Sequence, residues 1–245
     1  MMVQIRRLLF KLLILVLGVS AQNLGAQAFK KERHSLTAMM GLANNRTTPF
    51  TQSPDPKLKI EYLNSDQIAI PVSFRYQYRM DHGNRIGIDV MGNRNPLYLK
   101  PSFFDSEMGF TGPTIALKGT MVGGNIHYAK TVDFKLIEIF GFVGFGAYAQ
   151  FSEFDRAYTS DYSWYKNAPE DFYPFAVAAT DKALKSWVPT TSIGFGLRFK
   201  HLEGGLNYQL SVGSPVNDFE YQNVVFTNNI RYRSLGYYVA YRVEF

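Results

Sequence analysis

Residues 235–245 read Leu-Gly-Tyr-Tyr-Val-Ala-Tyr-Arg-Val-Glu-Phe. Leu235, Tyr237, Val239, Tyr241, Val243 and Phe245 are apolar or aromatic, and Gly236, Ala240, Arg242 and Glu244 fill the places between, with Tyr238 as the exception. A period of two residues is that of a β-strand, whose successive side chains point to opposite faces. The sequence ends on this strand, so its hydrogen-bonding partner must be an earlier one.

Working back from that strand, the same alternation recurs near 35–43, 68–80, 85–92, 114–130, 135–152, 186–199 and 204–213, which with 229–245 predicts eight strands. In the second, Ile68, Ile70, Val72, Phe74, Tyr76, Tyr78 and Met80 oppose Gln67, Ala69, Pro71, Ser73, Arg75, Gln77 and Arg79. The sixth sets Ile193, Phe195, Leu197 and Phe199 against Ser192, Gly194, Gly196 and Arg198, and the seventh is as regular. In the first strand Met39 breaks the polar face. In the fourth, Ile115 and Leu117 fall on one parity and Val122, Ile126 and Tyr128 on the other, which predicts a bulge near Gly119 or a shifted boundary.

Long connections at 44–67, 93–113, 153–185 and 214–228 alternate with short ones near 81–84, 131–134 and 200–203. Long outer loops and short periplasmic turns are the asymmetry of transmembrane barrels. A soluble β-sandwich also alternates, but it turns its apolar face inward and coats the other with charge. Here the polar face is built mainly of Gly, Ser, Ala, Asn and Gln, which suits a narrow lumen, and Tyr76, Tyr78, Tyr128, Trp187 and Tyr237 gather toward strand ends where aromatic girdles sit.

The beginning of the chain is consistent with export. Arg6 and Arg7 precede an apolar run from Leu8 to Val19 and then small residues, the pattern of a signal peptide cleaved after Ala21 or as late as Ala28. This leaves residues 22–245 as one domain. Its removal takes Arg6, Arg7 and Lys11 and no acid, so the formal net charge of +6 falls by three. The chain has no cysteine, which excludes disulfides, thiolate metal sites and N-terminal lipidation. No clustered basic groove for nucleic acid is present.

The final strand, with Tyr237, Val239, Tyr241, Val243 and a terminal Phe245, resembles the assembly signal of bacterial outer-membrane β-barrels. The whole pattern resembles the small eight-stranded group that includes the OmpA membrane domain and OmpX. The resemblance implies an all-β fold, an up-and-down antiparallel transmembrane barrel in the outer membrane. Its implied partners are the lipid bilayer with lipopolysaccharide, the insertion machinery during biogenesis, and an unidentified extracellular ligand or envelope protein. It implies no cofactor.

Catalysis in such barrels would need a histidine with a partner at the outer leaflet. His34, His82, His127 and His201 all fall toward the periplasmic ends of their strands and read as interfacial or turn residues. Asp155, Asp161, Glu170, Asp171 and Asp181 in the third long loop read as solvated carboxylates. The expectation is a non-enzymatic protein that supports the envelope or binds through its aromatic-rich loops, with small-solute or lipid transport or assembly as the alternative and a lipid-modifying enzyme or protease as the third reading. Charges on the inward face, Arg75, Arg79, Asp89, Glu138, Arg198 and Arg242, with Lys118 if its phase holds, are expected to neutralise one another and plug the lumen. A three-residue turn at Asp81-His82-Gly83 predicts Arg75 opposite Asp89. Tyr158, Tyr162, Trp164, Tyr165, Phe172 and Tyr173 make the third loop a candidate interaction surface, or else a cap over the mouth with a helix from Phe175 to Leu184.

Overall fold

The computed structural model describes residues 33–63, 67–94, 97–107, 109–134, 136–154 and 172–245. The expected signal peptide lies outside them. In chain order the strands are β1 (His34–Thr47), β2 (Phe50–Asp55), β3 (Leu58–Leu63), β4 (Gln67–Ala69), β5 (Val72–Arg79), β6 (Asn84–Arg94), β7 (Leu97–Asp105) and β8 (Gly109–Thr111). They continue with β9 (Ile115–Phe134) and β10 (Ile137–Phe154), then helix α1 (Phe172–Ala183), β11 (Trp187–Phe199), β12 (Leu202–Ser211), β13 (Phe219–Tyr221), β14 (Val224–Phe226) and β15 (Tyr232–Glu244).

Eight staves close into an antiparallel barrel in the order β1, β5, β6, β9, β10, β11, β12, β15 and back to β1. The closing ladder runs from Ser35 opposite Glu244 to Thr47 opposite Tyr232, and His34 and Phe245 extend it by exchanging backbone bonds of 3.1 and 2.9 Å. Such closure leaves no strand edge, the only form in which a sheet can cross hydrocarbon. The second stave is broken into β4 and β5 because Pro71 has no N–H to give the ladder, although its carbonyl still accepts from Gly41 at 3.3 Å.

The turn after β5 takes positive φ at both His82 and Gly83, and it sets the β5–β6 register with Arg75 opposite Asp89, as the spacing predicts. The expected bulge near Gly119 is absent. The β9–β10 ladder continues without a shift from Ile137–Phe134 to Leu117–Phe154, so the residue parity of β9 never changes. What changes is the solvent. In the lower part of β9, Ile126, Tyr128 and Val132 point outward and are exposed, while Asn125, His127 and Thr131 point inward. Higher up, Ile115 and Met121 share that inward parity and are buried in an apolar core.

β9 and β10, at 20 and 18 residues, are nearly twice the length a tilted strand needs to cross a bilayer, so their upper halves stand in water. There the polarity reverses to that of a soluble protein. β7 pairs with the top of β9, β3 with β7 and β2 with β3, so the first two connections, expected as loops, prolong the sheet outward. α1 lies across the mouth, and its Phe172, Tyr173, Ala176 and Val177 join Ile60, Leu99, Ile115, Phe226 and Ile230 in the apolar core.

Because the ladder is closed, detergent should not open it at room temperature. The protein is expected to migrate faster unboiled than boiled on denaturing gels, and equal mobility of the two samples would count against a closed barrel.

Candidate functional site

The inward positions of eight staves converge on a space that side chains alone can fill. Four arginines and four carboxylates meet there. Arg75 Nε donates to Asp89 Oδ1 at 2.7 Å, and its Nη1 reaches Glu203 Oε1 at 3.2 Å. Glu203 also accepts from Arg198 Nη2 at 2.7 Å, and Arg198 goes on to Glu138. Arg85 Nη2 lies 3.3 Å from the same Glu138 oxygen and 3.7 Å (Nη1) from Glu244, which pairs with Arg242. Arg75, Arg85, Arg198, Arg242 and Glu203 are all buried.

Aromatic rings support the guanidinium groups. The Arg75 guanidinium carbon sits 4.7 Å from the Phe142 ring centre, and that of Arg198 sits 4.9 Å from Phe140, distances at which a cation is attracted to the π face. The rings have room because the facing stave carries Gly194 and Gly196. A Cβ at these positions would fall 2.4 and 2.6 Å from the ring tips. Tyr238, the exception to the alternation of β15, points inward and donates its hydroxyl to Glu203 at 3.1 Å.

Of the charges expected in the lumen, Arg75, Asp89, Glu138, Arg198 and Arg242 come together. Arg79 does not join them. It lies at the periplasmic rim and pairs with Asp133 at 3.2 Å, because it is the last residue of β5. The side chain of Lys118 lies outside the described residues. Arg85, Glu203, Glu244 and His127 complete the cluster and were missed. Arg85 has the parity of Asp89 and Glu244 that of Arg242, so both were legible; Glu203 fell one residue before the expected start of its strand.

The reading of the histidines as interfacial or turn residues fails for His127. Its ring is buried, with Nδ1 3.3 Å from Asp89 Oδ2 and Nε2 2.9 Å from the Gln77 amide. The apparent parity change of β9 concealed its inward direction. Above the ion pairs lies a cavity of about 40 Å³ bordered by Met39, Met91, Asn125, Tyr148 and Asn207, room for only a few waters. Above that comes the cap.

Tyr158, Tyr162, Trp164 and Tyr165 of the third loop lie outside the described residues. Phe172 and Tyr173 are core residues of the cap rather than surface groups: both are buried, and the Tyr173 hydroxyl donates to the Thr111 carbonyl at 3.0 Å. The helix expected from Phe175 to Leu184 begins three residues earlier, which is what buries that pair. Burial in the same core pushes the Tyr62 phenol above its usual range. Tyr237, Val239, Tyr241 and Phe245 form an outward-facing column on β15, with Val243 partly covered, and Phe245 stacks on His34 with ring centres 6.0 Å apart.

An apolar exterior, a charged interior and a closed eight-stranded ladder define a bacterial outer-membrane β-barrel of the small class. No family model matches the chain, and no curated protein matches it. Solved structures with similar topology include Ail, the attachment invasion locus protein of Yersinia pestis, crystallised with the heparin analogue sucrose octasulfate (10% identity, 86% of this chain and 99% of that one, TM-score 0.41). Neisserial surface protein A (10%, 86% and 97%, 0.42) and the outer membrane protease OmpT of Escherichia coli (8%, 90% and 99%, 0.44) are others. At these identities and scores the likenesses carry no conclusion about what this chain does.

Glu203 joins two arginines in a buried setting, so truncating it strands both charges. Glu203→Ala is expected to lower the unfolding free energy by about 3–5 kcal/mol, read from urea titration of the lipid-refolded protein. Asp133→Asn at the exposed rim pair should cost less than about 1 kcal/mol. Equal effects would mean that the lumen is hydrated and its charges screened.

Proposed function

We propose that this is a non-enzymatic outer-membrane protein whose lumen is sealed and whose contribution to the envelope is made from outside the barrel. It supports the membrane as a rigid insert and presents its extracellular sheet and third loop to a ligand or envelope protein. The observation that carries this reading is the continuous lattice of ion pairs from Asp89 through Arg75, Glu203, Arg198 and Glu138 to Arg85, Glu244 and Arg242, which spans the lumen from wall to wall. A selectivity ring would leave water between its charges, whereas these touch one another. The only buried histidine among the described residues is held within this lattice, away from the outer leaflet, which argues against a general base acting on lipid or protein substrates there.

Planar-bilayer recording tests the sealed lumen. The refolded protein should add no steady ionic current at moderate voltage, and a reproducible unitary conductance would favour transport instead. The lipid A of cells with and without the protein should give the same mass spectrum; a mass difference would point to a lipid-modifying enzyme.

The outward column of Tyr237, Val239, Tyr241 and Phe245, with the partly covered Val243, is the proposed recognition element for the insertion machinery. Phe245 contributes at most a few kcal/mol by burial in the finished barrel. Phe245→Asp is therefore expected to strand the protein in the periplasm in cells, yet to refold into a barrel in detergent. Normal outer-membrane abundance of that variant would overturn the assembly role.

A further inference from the structure

The buried side of α1 carries Tyr173, Ala176, Val177 and Thr180, and Phe175, Ala178, Ala179 and Lys182 form a second stripe turned away from it, each one helical turn from the next. That stripe is one wall of an open groove of about 430 Å³, a size found in ligand sites. Between the ring of Phe175 and the stem of Lys182 the helix presents only methyl groups, so a second chain can approach it closely. Asp218, Phe219 and Glu220 form the opposite wall.

This opposite wall is an open strand edge. Gln222 and Asn223 both take positive φ, at 47° and 66°, and join β13 to β14 by a two-residue turn. Tyr221 and Phe219 then exchange backbone bonds with Val224 and Phe226, which leaves the N–H and C=O of Glu220 directed away from β14. Among the described residues no backbone group meets them. β14, on its own far side, lies against β2.

A strand edge facing a helix across a groove is suited to an extended polypeptide, whose backbone satisfies the free N–H and C=O while its side chains enter the groove. The charges say which polypeptide. The Tyr221 ring lies 4.6 Å from that of Phe175, so Tyr221 turns toward α1 and Glu220 turns to the other face of β13. Asp218 and Glu220 are exposed and neither is in an ion pair among the described residues; Asp218 Oδ1 accepts from the Asn228 amide at 2.7 Å. Lys182, in the last turn of α1, complements the helix dipole and leaves the groove with a net negative charge. A second copy of this edge would bring acids against acids, which destabilises a strand pair, whereas a basic residue opposite Glu220 stabilises it. The residues on either side of that basic one point into the groove, toward Phe175 and the two alanines.

We propose that the groove between α1 and β13 binds an extended segment of a partner protein as a third strand beside β13, with a basic residue opposite Glu220 and β-branched apolar residues flanking it. The proposal deepens the reading of the extracellular face as a binding surface. Absent conductance and an unchanged lipid A spectrum carry that reading whatever happens at the groove, so the two can fail separately.

The probe is the end-blocked peptide Thr-Val-Lys-Val-Thr, fluorescently labelled and titrated with the full chain refolded in zwitterionic micelles, with anisotropy as the readout. Its controls are Thr-Val-Glu-Val-Thr and the lysine peptide methylated on the lysine backbone nitrogen, which loses the N–H that meets the Glu220 carbonyl. The lysine peptide is expected to bind about tenfold more tightly than either control. Glu220→Lys should reverse the preference in favour of the glutamate peptide. Ala178→Phe, which fills the groove, should weaken the lysine peptide about tenfold, and both variants should keep the folded gel mobility. Should Ala178→Phe fail to fold, Glu220→Lys at its exposed position decides. Equal binding of the methylated peptide, an unchanged preference in Glu220→Lys, or no saturation by about 1 mM protein would overturn the proposal. So would a wild-type dimer that the peptide does not dissociate, or binding seen only after residues 156–170 are replaced with glycine and serine. In those two cases the occupant of the groove would be a second copy or the chain's own third loop.

Discussion

A backbone amide placed in hydrocarbon has no partner except another backbone group, and the ladder between β1 and β15 meets that demand for the last strand of this chain. Everything else in the molecule depends on its closure. Once the eight staves are joined, side-chain alternation means that every second residue faces lipid and the rest face a space too narrow for bulk water. The outward set must then be apolar, and the inward set must fill the space while satisfying its own polar groups.

The lumen meets the second condition in a way that local structure cannot. Arg75 and Asp89 are fourteen residues apart and can pair within one hairpin, but Arg75 and Glu203 are separated by 128 residues, and Arg198 and Glu138 by 60. The lattice draws on β5, β6, β10, β11, β12 and β15, so most of it can form only after the barrel has closed. Buried ion pairs give little net stability over apolar packing. Their contribution here is geometric: a charge left unpaired by a register slip would be stranded in the lumen, so the lattice discriminates among closures that the backbone ladder alone would accept.

How much was legible in the sequence follows from where each residue's environment is set. The staves and the inward direction of Arg75, Asp89 and Arg198 were readable, because two-residue alternation is a local property and the lipid makes it emphatic. The fourth stave was misread because its pattern inverts at the membrane surface. Ile115 and His127 share an inward parity, yet one faces the apolar core under the cap and the other faces a carboxylate. A parity rule that assumes one solvent along the whole strand finds a bulge where there is none. β2, β3 and β7 were hidden for a related reason: they are held by packing against residues far away in sequence, such as Phe226 and Ile230, rather than by their own periodicity.

The inversion also explains what lies between the two halves. Below, the lumen is ionic and the exterior greasy; above, the interior is greasy and the exterior wet. A layer belonging to neither must separate them, and it is built of neutral polar groups. Asn125 donates to Ser192 at 2.7 Å, Gln209 donates to the Tyr148 hydroxyl at 2.6 Å, and the side-chain oxygens of Asn125 and Asn207 are buried beside the small cavity without partners. Amides suit this position because they cost far less to bury than charges and can still bind water. Two orphaned acceptors and a cavity with space for a few waters lie at this one level, in the middle of the barrel. The ion pairs close the layer from below and the apolar cap closes it from above, so the same change of environment that shaped the strand pattern also sets where this barrel has polar internal space.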